Sequence, residues 1–146
     1  MIFQAKIAIK YCLIASLFIL NLEATSDRDY EKYGTAFFTS IAGNSVSFNT
    51  KSTSSPIHLH DSIIINSQSL ISTGDSDSVF FKLSNNTTFG LFENTQFSIE
   101  SFKQNSFQND AIRFDREPSS SYFKSFLTEG TILVKSNILS PLSVFE

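Results

Sequence analysis

Between Phe81 and Glu100 the chain reads FKLSNNTTFGLFENTQFSIE, and its apolar side chains sit two apart, then jump six. Phe81, Phe89 and Phe97 recur on one interval, Leu83, Leu91 and Ile99 recur with them, and Asn86-Thr87 and Asn94-Thr95 occupy matching places between. A helix needs apolar residues at i, i+3 and i+4, whereas alternation marks a half-buried strand. Gly90 and the Asn-rich gaps would also weaken a helix. The spacing therefore predicts three short strands, in which Val79-Phe81-Leu83, Thr87-Phe89-Leu91 and Thr95-Phe97-Ile99 each line one face, with the Asn-Thr pairs at the turns. Because the period is even, equivalent side chains return to the same face. Stacked blocks would form one continuous Phe/Leu layer, each such side chain worth roughly 1.5–3 kcal/mol on burial.

The same alternation extends through most of the chain. After a charged lead-in over 27–33, Ala36 to Ile41 reads as a strand. Gly43-Asn44 reads as a hairpin turn, and Val46 and Phe48 share one face of the next strand. Further strands are expected at Ile63 to Ile65 and at Leu70-Ile71, ended by Thr73-Gly74-Asp75. Gln104 to Ser121 is polar, carries Arg113, Asp115, Arg116 and Glu117 close together, and reads as a long, solvated surface loop. It is the loop best placed to touch a partner, since function concentrates on long loops over rigid scaffolds. Strands resume at Ser121 to Leu127, turn at Glu129-Gly130, continue over Thr131 to Ser136, and end in Leu142 to Glu146. An unfinished terminal strand suggests that partner strands are missing or come from another chain.

Composition agrees with an all-β chain. The 146 residues suit one domain, and 41% hydrophobic content supports a core. Phe occurs 16 times, against one Met and no Trp; Phe with Ser, Thr and Asn favours strands joined by polar turns. The net charge of -3 comes without any run of Lys or Arg, so the basic footprint of a nucleic-acid binder is missing.

The N-terminus carries an address. Lys6 and Lys10 precede an uncharged, mostly apolar run from Tyr11 to Leu22, and Ala24-Thr25-Ser26 offers small residues for cleavage before Asp27. Together these read as a secretory signal helix over residues 1–26. The run is short of the roughly 20 residues of a spanning helix, and the alternative is an uncleaved anchor. Cleavage removes Cys12, so the exported chain would hold no cysteine. It would then be stabilised without disulfides, and Cys-based catalysis or metal binding would be excluded.

Candidate chemistry is sparse. His58 and His60 share a face if extended, with Asp61 as the sole nearby third ligand, short of the usual three or four. Asp75-Ser76-Asp77 has oxygen ligands but lacks the distal bidentate Glu of a calcium loop; turn formation accounts for it. Asn85 and Asn86 each begin an N-x-Thr sequon, although their recurrence in the octad points to turns. No G-x-S-x-G occurs, and both histidines lie in one segment, so a nucleophile-His constellation is not indicated. No catalytic, cofactor-binding or metal-binding residue is assigned.

The segment Ile71 to Phe145 resembles the FecR domain, an extracytoplasmic β-rich module. The resemblance rests on the Thr73-Gly74 turn before Asp75-Ser76-Asp77-Ser78. It continues in the strand–turn–strand alternation through Ile99 and in Leu127, Gly130 and Ile132. Gly34-Thr35-Ala36 matches the family's opening strand. The family's cytoplasmic anti-sigma segment does not precede the apolar run here, and its Thr-Pro and Gly-rich continuation is not present after Glu146. The resemblance implies a β-solenoid-like or sandwich-like stack of short strands over 34–146, incomplete at its C-terminus. It implies function through macromolecular contacts, with no enzyme activity and no cofactor. The expectation is thus a periplasmic or secreted non-catalytic binding or assembly component of the cell envelope. Its partner would be a protein or a second copy met through β edges. It would contact no nucleic acid, and a membrane only if the signal is uncleaved. The alternative is a membrane-anchored regulator that senses an envelope signal.

Overall fold

A computed structural model describes residues 30, 32–51, 53–66, 68–107 and 115–146. The signal expected at 1–26 and Arg113 of the charged loop lie outside the described residues.

The described chain is all-β. Its strands are β1 (Lys32–Tyr33), β2 (Thr35–Ala42), β3 (Ser47–Thr50), β4 (Ser54–Pro56), β5 (Ser62–Ile64) and β6 (Ser69–Ser72). The octad supplies β7 (Ser78–Leu83), β8 (Thr88–Leu91) and β9 (Gln96–Gln104), followed by β10 (Ser121–Glu129), β11 (Ile132–Lys135) and β12 (Val144–Phe145). Two unclosed sheets result. The first runs β12-β10-β9-β6-β3-β4, with β1 also pairing β9; the second runs β11-β8-β7-β2-β5. All pairings between strands are antiparallel except β10 with β12.

The octad divides between the sheets. β7 and β8 form a hairpin that places Phe81 opposite Phe89, while β9 crosses to the first sheet and pairs with β10 and β6. The expected single Phe/Leu layer is therefore corrected to two facing layers. Phe89 stacks on Phe81 with centroids 5.3 Å apart and meets Phe97 at 5.2 Å across the core. The inward faces match the alternation, since Phe81, Phe89, Phe97, Leu83, Leu91 and Ile99 are all buried. Thr87 and Thr95 are buried as well, and Asn86 and Asn94 take left-handed turn conformations at φ 70° and 51°. Asn tolerates this region better than other residues with a Cβ.

The Gly43-Asn44 turn also differs from expectation. Gly43 has φ 96°, but β2 and β3 enter different sheets, so this is a crossover rather than a hairpin. Asp77 fixes it. Its carboxylate accepts N–H bonds from Asn44 (3.2 Å), Ser45 (3.0 Å) and Gly74 (3.1 Å). A Cβ on Gly43 would meet Asp77 Oδ1 at 1.6 Å. The turns of the repeat brace one another in the same way. Thr95 N–H donates to Thr73 Oγ1 (2.9 Å), and Thr73 Oγ1 donates to the Phe92 carbonyl (2.5 Å). Thr95 Oγ1 in turn accepts the Thr131 N–H (3.0 Å) and so holds the corner between β10 and β11.

Candidate binding surface

The residues that carried candidate chemistry in the sequence are drawn into turns. Asp61 Oδ2 accepts the His58 N–H at 2.7 Å, and Asp61 N–H donates back to the His58 carbonyl at 3.1 Å. His60 sits at φ 70°. The segment is a tight turn, so the extended arrangement that would align His58 and His60 does not form. Asp75 Oδ1 accepts an Asn94 side-chain N–H at 3.2 Å, and the Asp77 carboxylate is engaged by three backbone N–H donors. Among the described residues no group of three or more His, Cys, Asp or Glu is placed to hold a metal. Asn85 is 1% exposed. It donates to Ser121 Oγ (3.1 Å) and accepts the Thr87 N–H (3.1 Å), so attachment of a glycan there would displace it from the core.

The charged loop is likewise corrected in part. Asp115 and Arg116 are exposed, but Glu117 is buried. Its carboxylate accepts the hydroxyls of Ser121 and Ser143 and the Ser140 N–H at 2.9 Å. Burial disfavours a charge unless donors replace water, and three donors do so here. Glu117 thereby ties the segment ahead of β12 to the start of β10. Ser121 N–H, donating to Ser143 Oγ at 2.9 Å, adds a further tie.

The feature that alternation did not disclose is an uncovered flank of the core. β11 and β12 are the edge strands of their sheets on the same side, since Phe145 of β12 stacks over Phe89 of β8 at 6.2 Å and over Phe123 at 4.8 Å. Register places Val134 opposite Phe89 and Leu127 opposite Phe97. Direct cross-strand partners project from the same face, so Val134 and Leu127 point between the sheets. Yet they are 41% and 43% exposed, and Phe145 is 38% exposed. Inward-facing residues of two packed sheets are ordinarily covered.

Open backbone accompanies these side chains. β11 pairs only with β8 among the described strands, and β12 pairs β10 only at Tyr122 and Phe123. The far half of β10 and the outer edge of β11 thus border an apolar groove with ladder positions beside it. Leu133 (54% exposed) and Phe126 (51% exposed) extend the apolar surface onto the outer faces. The only hint of this in the sequence is apolar residues on both faces of "SFLTEGTILV", where a covered-on-one-side strand would alternate. No protein-family model, curated protein or solved structure matches the chain.

Proposed function

We propose that this chain is an exported FecR-like β module that acts in the cell envelope as a non-catalytic binding or assembly component. It works by accepting an extended strand of a protein partner, or of a second copy, along its open flank. The observation that carries the reading is the inward-facing but exposed trio Leu127, Val134 and Phe145 beside the β11 edge that no described strand pairs. An added strand supplies backbone partners through the ladder and side chains for the groove, the division of labour found when peptides augment sheet edges. The signal-like N-terminus supports export, and the mature chain is expected to begin near Asp27.

The test is a photo-crosslinking residue placed at Leu133 in producing cells. The expected result is a discrete adduct, identified by mass spectrometry. It should be absent when the probe stands at Ser55 on the β4 edge, and lost when Leu127→Lys and Val134→Lys are added to the Leu133 probe. Equal adducts at both edges, or an adduct that survives the double substitution, counts against strand addition.

A further inference from the structure

β11 turns one set of backbone groups to β8 and the other set outward. Phe92 N–H donates to the Thr131 carbonyl at 3.1 Å, so these two form a hydrogen-bonded pair of the antiparallel ladder. Hydrogen-bonded pairs alternate along such a ladder, and the same register continues through Leu133 opposite Gly90 and Lys135 opposite Thr88. Leu133 and Lys135 therefore spend their N–H and C=O groups on β8. Ile132 and Val134 present theirs on the outer edge, where no described strand lies. The same strand is aliphatic on both faces. Val134, 41% exposed, faces inward with Ile132, and Leu133, 54% exposed, faces outward. The charge within the strand is that of Lys135.

On the reading of the flank as a strand acceptor, on which this rests, we infer that the strand received is β11 of a second copy, antiparallel and related by a two-fold axis at Leu133. A guest on this edge must offer free backbone groups at alternate residues and aliphatic side chains on both faces, and β11 itself offers both. With the axis at Leu133, Ile132 lies opposite Val134 of the second copy, and Val134 opposite Ile132 of the second copy. Each of these pairs exchanges both of its N–H···O=C bonds, and each inward Val134 gains an Ile132 as cover. Leu133 meets its counterpart on the axis as a pair without hydrogen bonds, in which side chains approach most closely. Lys135 falls opposite Thr131 of the second copy, near Glu129 of that copy, so opposite charges approach and like charges stay apart. An axis at Val134 would instead set Lys135 against Leu133, and an axis at Ile132 would set Val134 against the Gly130 corner. Both copies lack cover at the same place, and a two-fold contact covers both and closes, leaving neither β11 edge open. A contact of so few residues is smaller than a standard stable interface, so the dimer is reversible.

The experiment replaces Cys12, the chain's one cysteine, with Ser in the full chain and adds Leu133→Cys. Two such residues on the axis stand about 4.5 Å apart at Cα, within the range of a disulfide. The expected result is a disulfide-linked dimer on mild oxidation, together with concentration-dependent dimerisation of the unsubstituted chain in sedimentation. Ile132→Cys or Val134→Cys alone should link about tenfold more slowly, because off the axis neither meets its own counterpart within disulfide range. Leu133→Lys should abolish dimerisation, since like charges then meet on the axis. Linking at Ile132→Cys, or at Ser55→Cys on the β4 edge, as fast as at Leu133→Cys overturns the inference. So does an unsubstituted chain that stays monomeric up to about 1 mM. A monomeric chain that still gives a Leu133 photo-adduct with a different protein removes the second copy and leaves strand acceptance standing; a monomeric chain with no adduct removes both.

Discussion

Thr87 and Thr95 hold equivalent places in the repeat, are equally buried, and do different work. Thr95 Oγ1 accepts the Thr131 N–H, whereas Thr87 Oγ1 is buried with no partner among the described residues. A buried hydroxyl without a partner has been desolvated for no return. Thr95→Val is therefore expected to destabilise the fold by about 1 kcal/mol, and Thr87→Val to be neutral or stabilising, as read by urea denaturation. The repeat made both threonines visible in the sequence. Which one is used depends on where the Gly130 corner passes, and the repeat carries no information about that. Alkaline titration offers a second check. Burial, reinforced by Glu146, raises Tyr122 above its usual 10.0, and the hydrogen bond and charge of Glu100 raise Lys124 above 10.5. In both cases the folded state holds its proton more tightly than the unfolded state. Stability is thus fully present below about pH 10 and falls as pH rises through that range. Tyr122→Phe should flatten the fall, measured as the change in denaturation midpoint with pH.

Strands were legible as elements because alternation survives burial on one face. Val79, Phe81, Leu83, Phe89, Leu91, Phe97 and Ile99 are inward as their spacing requires. The partners of each strand were not legible. The Gly43-Asn44 and Asn94-Thr95 turns resemble hairpin turns locally, yet both deliver the chain to the opposite sheet. Turn type fixes a local reversal. Which sheet the next strand joins is decided by contacts with strands distant in sequence, such as β10 against β9. Burial of Glu117 escaped for the same reason, since its donors Ser140 and Ser143 come from the far end of the chain. Glu117→Ala leaves those donors without their acceptor and is expected to cost about 3 kcal/mol. Hydrogen exchange should accelerate over residues 138–146 well before it does in β7 to β9.

At the scale of the whole molecule, two facing sheets share one phenylalanine-rich core and leave it open on the side of β11 and β12. If the flank receives a strand, the Leu127→Lys, Val134→Lys chain should keep its denaturation midpoint while losing its partner, because both side chains already reach solvent. The sequence by itself determined that the described chain is all-β, which residues face inward in the octad, and which residues make the turns. Alternation and turn chemistry are local, and the octad between Phe81 and Glu100 has no competing helical pattern. Only the tertiary structure decided how the octad is shared between two sheets and which buried polar groups find partners. It alone also decided that Leu127, Val134 and Phe145 face inward but stay uncovered. Coverage depends on what lies opposite in space, which is set by pairings between strands far apart along the chain.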